Sequence, residues 1–278
     1  MRKFTIISFI IWGIIALSIQ ISFGTTNKAF LLAGEVEPPL KWINETGNIV
    51  GIEIDILTEI LREMKDIIPS YKFVLYESSA KVKREAEVGH IDQYITLSFK
   101  PEREKHFIYP KQSHMRQTYY FFVTKTFLEE EKAKGKPVKF ETYSDLKDYL
   151  IGATKDYAYV PEFWEAIKIG ILKADIVIKN ELNIKKLITG RINLFPSNGI
   201  QMMWEAKKNG YLDQITYLPK PIKDTEYYNP FSKASVYPGV QNGIIVKKYD
   251  EILSKLKKAG FIENIFKKYG IDSHKPLY

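Results

Sequence analysis

The sequence predicts an α/β fold, because short strand-like runs alternate with amphipathic helices along the chain. Residues 71–76 (YKFVLY) and 118–124 (TYYFFVT) are rich in aromatic and β-branched residues, which favour strands. Between such runs, apolar residues recur at helical spacing, as at Ile56, Ile60 and Leu61. With 278 residues, of which 45% are hydrophobic, the chain is long enough for one large domain or two lobes.

The composition excludes several functional classes. The chain has no cysteine, which rules out disulfides, thiol catalysis, thiolate metal sites and a lipoprotein anchor. Its formal charge is +8, but the basic residues are scattered among acids, whereas nucleic-acid-binding proteins more often have a clustered basic face. The histidines are far apart and lack the spacing of a zinc site, so no metal or other cofactor is expected. They are His90, His106, His114 and His274.

Residues 1–24 have the features of a secretory signal peptide. Arg2 and Lys3 precede an almost wholly apolar run at residues 4–21, and residues 22–24 (SFG) offer small side chains for cleavage. The run is also near the ~20 residues needed to span a bilayer, so an uncleaved membrane anchor is the alternative. Cleavage would leave a mature charge of +8 − 2 = +6. We therefore expect a periplasmic or other extracytoplasmic protein.

Residues 89–110 (GHIDQYITLSFKPEREKHFIYP) predict a buried strand, a turn and a short helix. Thr96 and Ser98 place hydroxyls at the carboxyl end of the strand, and Pro101 presets the turn that leads to Arg103. In an open α/β sheet, ligands bind outside the carboxyl ends of the strands, so these polar side chains are expected to converge on one crevice. The planar, permanently charged guanidinium of Arg103 suits a carboxylate.

The other elements follow from the same patterns. Strands are predicted at residues 29–33, 150–153, 175–179, 191–198 and 243–246. Helices are predicted at residues 56–65, 80–88, 183–189, 202–209 and 249–269, with helix starts at 142–146 and 161–164. Residues 127–137, which are charged and contain glycine and proline, are predicted to be a surface excursion. Residues 217–238, which are rich in proline and tyrosine, are predicted to contain irregular loop.

The loop at residues 154–160 is a second candidate binding element. It connects the strand at residues 150–153 to a helix that begins at Pro161, and proline in the first turn is typical of a helix N-terminus. The free N–H groups and the positive end of the helix dipole make such a junction suitable for an anion.

Several motifs resemble the family 3 periplasmic solute-binding proteins, the receptors of polar amino-acid ABC transporters. G-x-I-D followed by K-P-E-R at residues 89–103 is similar to the family signature, although Lys100 replaces the usual threonine and the spacing is one residue shorter. P-P at residues 38–39 and V-G-x-x-x-D at residues 50–55 resemble the start of the family pattern. L-K-K-A-G-F-I-E-N-I-F-K-K-Y-G resembles its C-terminal end. The resemblance covers nearly all of residues 28–271.

The resemblance implies a two-lobe architecture of the periplasmic-binding-protein type II class. Each lobe would be a mixed sheet flanked by helices, and the chain would cross between the lobes twice, at two hinges. After the signal peptide at residues 1–24, lobe 1 would comprise residues 25–120 and 240–278. Lobe 2 would comprise residues 121–239.

The resemblance also implies a ligand site between the lobes. Arg103, Thr96 and Ser98 would hold a carboxylate from lobe 1. Tyr157 and the backbone N–H of Ala158, which lie in the second-lobe loop, would close over the ligand from lobe 2 together with Asn198.

Other positions depart from the family pattern. Asn198 stands where the family usually has an aspartate that pairs with a ligand ammonium, and Asn193 also replaces an aspartate. A neutral amide cannot match a full charge, which argues against a standard α-amino acid. Glu37 is the alternative ammonium contact. For Trp42, stacking on the ligand and a half-buried loop position are both open. Tyr159 is a further candidate wall residue.

The functional prediction is an extracytoplasmic solute-binding protein for an ABC transporter permease. It would capture a small polar, carboxylate-bearing, amino-acid-like ligand as its two lobes close. One alternative is a membrane-tethered sensor that reports to a partner chain. The other is a dehydratase-like enzyme with Glu37 as its candidate acid or base. No GxSxG, P-loop or GxGxxG motif is present, so no enzymatic activity is expected.

Overall fold

The computed structural model describes residues 28–155, 159–178 and 180–271. Its strands are β1 Phe30–Glu35, β2 Trp42–Ile43, β3 Ile49–Val50, β4 Tyr71–Tyr76, β5 Gln93–Tyr94, β6 Leu97–Ser98, β7 Phe107–Ile108, β8 Met115–Thr124, β9 Leu150–Thr154, β10 Lys173–Val177, β11 Phe195–Asn198, β12 Ile215–Tyr217, β13 Lys223–Tyr228 and β14 Phe231–Ser232. Its helices are α1 Ile52–Glu63, α2 Ser79–Glu87, α3 Lys125–Ala133, α4 Pro161–Lys168, α5 Asn180–Ile188, α6 Gly199–Lys208, α7 Ile244–Lys258 and α8 Phe261–Lys268. Two short 3₁₀ turns are Pro101–Arg103 and Tyr143–Leu146.

The first sheet has the strand order β4-β1-β5-β14-β7. β1 pairs in parallel with β4 and β5, whereas β14 is antiparallel to β5 and β7. α1, α7 and α8 contact one another, and their apolar faces share a core with this sheet that includes Phe30, Ile56, Leu253 and Phe266. α2 contacts β1 and β5 and helps to enclose a smaller apolar cluster.

The second half of the structure is built on the strand order β11-β8-β13-β6, with β12 also paired to β8. The parallel strands β9 and β10 join it through a bridge between Ile151 and Leu194. Successive side chains of β8 point to opposite faces, so Phe121 and Phe122 enter two different cores. α4 contributes to the first of these cores and α6 to the second.

β8 and β13 are the two crossings between the lobes, which confirms the predicted two-lobe α/β architecture. Residues 223–227 of β13 pair with residues 115–119 of β8, and the end of β13 pairs with β6. β14 then pairs within the first sheet. The predicted lobe boundaries (25–120 with 240–278, and 121–239) stay a prediction. The pairing of β14 favours a second boundary before Phe231 rather than at residue 240.

Residues 127–137, predicted to be a surface excursion, contain most of α3. Thr124 caps this helix, because its Oγ1 accepts the Phe127 N–H at 3.2 Å. The lysines and glutamates that follow are good helix formers, so local charge did not prevent a helix.

Two further segments differ from the prediction. Residues 243–246, expected as a strand, form the beginning of α7, because Ile245 and Tyr249 continue the apolar spacing of the C-terminal helix. Residues 217–238, expected as irregular, contain β13 and β14. Pairing with β8 and with the first sheet, which lie far away in sequence, stabilises these strands.

No helix within the described ranges is both long and apolar enough to cross a membrane. The predicted signal peptide at residues 1–24 lies outside the described residues.

A buried polar cluster fastens both crossings to the first lobe. His114 precedes β8, and its Nε2 lies 2.6 Å from Oε1 of Glu53 in α1, with both side chains fully buried. The two groups are in close contact, although their alignment does not meet hydrogen-bond geometry. Asn229 follows β13, and its Nδ2 donates to Glu53 Oε2 at 3.0 Å. Residues next to both crossings therefore contact the same carboxyl group.

Asn229 also connects this cluster to the turn before Ser98. Its Oδ1 accepts the N–H of Thr96 at 2.6 Å, and its carbonyl accepts from Gln93 Nε2 at 2.8 Å. Thr96 has a φ of 69°, a backbone conformation that β-branched residues rarely adopt. The hydrogen bond from Thr96 thus holds an unfavourable turn in place.

Replacing Asn229 with alanine should lower the free energy of unfolding by about 3 kcal/mol. Glu53 Oε2 and the Thr96 N–H would each lose a buried partner, at a cost of about 1–3 kcal/mol apiece. Urea unfolding measures the loss. Asn209→Ala is the matched control, since Asn209 donates to the Glu205 carbonyl at the exposed end of α6, and less than about 1 kcal/mol should be lost there. Equal losses in the two variants would contradict the structural role of Asn229.

Candidate functional site

One face of the crossing sheet collects polar residues from four strands. Tyr119 of β8 pairs with Asn198 of β11 and with Lys223 of β13. Tyr227 of β13 pairs with Ser98 of β6. Residues paired across an antiparallel ladder project to the same side, as do residues an even number apart along one strand. This face therefore carries Ser98, Asn198 and Lys223 together, and we call it the cleft face.

Arg103 lies beside the cleft face, at the end of the 3₁₀ turn that Pro101 begins. Its Nη1 donates to the Ser98 carbonyl at 2.7 Å and to Ser98 Oγ at 2.9 Å. Tyr109 Oη donates to the same carbonyl at 3.1 Å. Both hydrogen bonds from Arg103 to Ser98 use Nη1, which leaves other N–H groups of the planar fork for a ligand.

Lys223 adds a second positive charge near Arg103. Its Nζ lies 5.1 Å from the centre of the Tyr119 ring, within the range of a cation–π contact. Burial lowers the pKa of Lys223, and repulsion from Lys100 and Arg103 lowers this pKa further. An anion bound among these three groups would relieve their mutual repulsion.

Two carboxyl groups, Glu35 and Glu37, face the same region. Burial is the main cause of the raised pKa of Tyr227; nearby Glu37 and Glu35 also raise it, whereas Arg103 opposes the rise. The Tyr227 phenol therefore lies within electrostatic reach of both the acids and the guanidinium. The cleft face thus combines a cationic part and an anionic part.

Lys41 compensates the two acids from inside the first lobe. It is fully buried, and its Nζ lies 2.8 Å from Glu37 Oε2. Burial alone would lower the pKa of Lys41, but Glu37 and Glu35 outweigh burial and raise it. Burial raises the pKa of Glu35, although Lys41 opposes this rise. Gly34 provides the space, because a Cβ there would lie 2.5 Å from Lys41 Cε.

Asn198 lies on the cleft face, but its amide is engaged within the protein. Its Oδ1 accepts the Ile200 N–H at 2.9 Å and so caps α6. Its Nδ2 donates to Gln117 Oε1 at 2.6 Å. Thr96 is also buried, and its Oγ1 has no hydrogen-bond partner among the described residues.

Trp42 contacts other aromatic rings rather than the Arg103 group. Its ring lies 5.7 Å from the Trp204 ring and 6.0 Å from the Tyr269 ring, measured between centres. Trp42 is half-buried and begins the short strand β2, and stacking on a ligand stays a prediction. The predicted ligand residues Tyr157 and Ala158 lie outside the described residues.

Another surface depression lies elsewhere, on the second lobe. It has a volume of about 970 Å³ and is lined by residues of both charges, including Lys125, Glu130, Asp148 and Asp213. We place the candidate site on the cleft face instead, because the charged groups there are partly buried and act on one another. No group of three or more histidine, aspartate or glutamate residues in the described ranges is arranged to hold a metal ion.

Residues 32–272 match the family model of bacterial extracellular solute-binding proteins, family 3. The chain belongs to this family. No curated protein matches the sequence.

Solved structures with the same fold cover most of this solute-binding protein. Substrate-binding domain 2 of GlnP from Lactococcus lactis, in an open conformation, has a TM-score of 0.66 and 19% identity, covering 89% of this chain and 98% of that one. The GluR0 ligand-binding core in complex with L-glutamate has a TM-score of 0.63 and 14% identity, covering 88% and 99%. AncCDT-1, an ancestral amino-acid-binding protein and precursor of cyclohexadienyl dehydratase, has a TM-score of 0.58 and 13% identity, covering 87% and 95%. At these identities the likeness shows the fold alone.

Sequence reasoning about this solute-binding protein missed several residues of the cleft face. Lys223 and Tyr227 fall in a segment that was expected to be irregular, although its alternation (KDTEYY) is typical of a strand. Tyr119 lies in a predicted strand, but only the register with β11 and β13 shows which face it occupies. Glu35 and Lys41 flank the P-P loop, and no local pattern marks them as a pair.

Replacing Lys41 with methionine should destabilise the solute-binding protein by about 3–5 kcal/mol near pH 7, because Glu35 and Glu37 lose their buried counter-charge. Without Lys41, the pKa of Glu35 should rise further. A carboxyl with a raised folded-state pKa supports the fold best when protonated and less as pH rises, so the loss should shrink towards pH 4. Urea unfolding at both pH values measures this effect.

Lys255→Met is the control, because it removes an exposed pair in which Lys255 Nζ lies 2.8 Å from Glu63. Such a pair contributes less than about 1 kcal/mol. A loss in Lys41→Met that is no larger than in the control, or that grows on acidification, would contradict this account of Lys41.

Proposed function

We propose that this protein captures a small carboxylate-bearing, amino-acid-like solute between its two lobes, outside the cytoplasm, for an ABC transporter permease. The family supports solute binding. The carboxylate, the location and the transporter partner belong to the proposal. The apolar segment at residues 1–24, with its cleavage site, supports export.

The guanidinium of Arg103 is the observation that supports a carboxylate most directly. Ser98 holds it through two hydrogen bonds of 2.7 and 2.9 Å, so its position is set before a ligand arrives. Lys223, whose pKa is lowered by burial and by its neighbours, adds a cation next to it. A ligand carboxylate would receive charge-assisted hydrogen bonds in a partly buried site, where they are strong.

The acids suggest where a cationic group of the solute binds. Asn198 uses both amide atoms within the protein, so it does not replace the family aspartate. Glu37 retains 30% exposure of its side chain while paired with Lys41. Together with Glu35, it makes the anionic part of the cleft face. A zwitterionic solute would place its carboxylate at Arg103 and its ammonium towards Glu37.

Arg103→Ala should abolish solute binding and leave the fold intact. A thermal-shift screen of amino acids, small carboxylates and short peptides identifies a ligand, because binding raises the melting temperature. Titration calorimetry then measures its affinity. We expect at least a ~30-fold loss in Arg103→Ala, since truncating one partner of a buried charge pair costs about 2–5 kcal/mol. Arg103→Lys should retain part of the affinity, because it keeps the charge but loses the planar fork.

Arg62→Ala provides the control for this experiment. Arg62 pairs with Glu59 on the exposed side of α1, so its loss removes the same charge away from the cleft face. Its affinity should equal that of the unmodified protein. Unchanged affinity in Arg103→Ala would remove the carboxylate assignment.

We propose binding without turnover, and one residue allows a direct test. Glu35 is half-buried, its pKa is raised mainly by burial, and it accepts a hydrogen bond from Tyr94 Oη at 3.2 Å. A carboxyl group with a raised pKa is a candidate proton donor in catalysis. Incubation with prephenate should give no product, measured by absorbance. Product that forms and is then lost in Glu35→Gln would instead establish a dehydratase.

A further inference from the structure

A second pocket lies between the two lobes and shares no residue with the cleft face. It has a volume of about 400 Å³, within the usual range of small-molecule sites. It is lined by Trp42, Trp204, Lys207, Lys208, Lys268 and Tyr269. We call it the lysine–aromatic pocket. Both lobes contribute, because Trp42 and Tyr269 belong to the first lobe and α6 carries the residues from the second.

The aromatic rings form the apolar part of this pocket. Trp42 lies between Trp204 and Tyr269, with ring centres 5.7 and 6.0 Å away. All three rings are half-buried, so each keeps some surface open to the pocket. Such surfaces favour a flat apolar group, which can stack on them.

The lysines form the polar part. Lys208 Nζ lies 5.0 Å from the centre of the Trp204 ring, and Lys268 Nζ lies 5.5 Å from the centre of the Tyr269 ring. Lys268 is paired with Asp55 at 2.8 Å. Within the described part of the chain, Lys207 and Lys208 have no carboxylate within 4.0 Å.

The charges at the pocket favour an anion. α6 ends at Lys208 and α8 ends at Lys268, and each helix end contributes about half a negative charge. Asp55 contributes one negative charge and the three lysines contribute three positive charges. Roughly one positive charge is therefore left, so a cation would be repelled. Lysine ammonium groups commonly bind phosphate oxygens.

We propose that the lysine–aromatic pocket binds a phosphate-bearing ligand that carries a flat apolar group. The phosphate contacts Lys207 and Lys208, and the flat group lies against both Trp204 and Trp42. Because the ligand touches both lobes, its binding favours the arrangement in which Trp42 and Trp204 are in contact.

Titration calorimetry with simple probes tests the two halves of the proposal. The probes are phenyl phosphate, inorganic phosphate and phenol, each at the same ionic strength set with chloride. Phenyl phosphate should bind more tightly than either of the others, since it combines the anion with the ring. Absence of phenyl phosphate binding, together with absence of binding to anionic vesicles, would overturn the proposal.

Paired variants then locate the site. Lys207→Gln with Lys208→Gln should weaken phenyl phosphate binding at least about tenfold. Lys132→Gln with Lys139→Gln is the control, because it removes the same charge from two exposed positions elsewhere on the second lobe, and it should change affinity less than about twofold. Trp204→Ala should reduce phenyl phosphate binding to the level of inorganic phosphate. Equal losses in the two double variants would contradict the pocket.

Two further experiments are needed. One distinguishes a lipid headgroup from a soluble phosphate ligand, and the other distinguishes the lysine–aromatic pocket from the cleft face. Sedimentation with phosphatidylglycerol vesicles and with phosphatidylcholine vesicles tests a lipid headgroup. Binding to the anionic vesicles that is lost in the Lys207/Lys208 variant assigns the phosphate to lipid, whereas phenyl phosphate binding without it assigns the phosphate to a soluble ligand. Arg103→Ala should leave phenyl phosphate binding unchanged, so the proposed solute site can fail without affecting this one.

Discussion

The carboxyl group of Glu53 is fully buried at the beginning of α1. It contacts a residue next to each crossing between the lobes, His114 before β8 and Asn229 after β13. A buried carboxyl that lost its partners would cost several kcal/mol, so His114 and Asn229 are strongly constrained to stay where they are. Asn229 also holds the backbone of Thr96, two residues before the serine that positions Arg103. The position of Arg103 therefore depends on the same buried contacts that hold the residues next to the two crossings.

The charged groups near the cleft also come from segments that are far apart in the sequence. Arg103 and Lys223 lie where strands of the crossing sheet bring them together, although 120 positions separate them in the numbering. Glu35 and Glu37 come from the first lobe, and Lys41 balances them from its interior. Because Lys41 compensates part of the charge of Glu35 and Glu37, these carboxyl groups can lie near Arg103 without forming an ion pair with it. This separation of charge is what makes a zwitterionic solute a reasonable occupant of the site in our proposal.

Features of the fold that depend on residues close together in the chain could be predicted from the sequence. Apolar and alternating runs predicted β1, β4 and β8 to β11. The position of Ser98 at the carboxyl end of a strand, just before the turn at Pro101, predicted that it would lie near Arg103. Features that depend on distant pairing could not be read in the same way. The position of Lys223 follows from its ladder partner Tyr119, and the engagement of Asn198 follows from a helix cap and from a glutamine on another strand. The contact between His114 and Glu53 is likewise formed only when a crossing strand meets α1.

The contact of Trp42 with Trp204 has a consequence for the unliganded protein. These indoles come from different lobes, so separating the lobes must separate the rings. An aromatic pair of this kind contributes about 0.5–1.5 kcal/mol beyond its buried area, which corresponds to roughly a two- to tenfold change in an equilibrium constant. The contact thus favours, before any solute is present, those lobe arrangements that keep the two rings together. A solute that binds one of these arrangements has less conformational work left to do, so part of its apparent affinity comes from a ring contact that it does not touch.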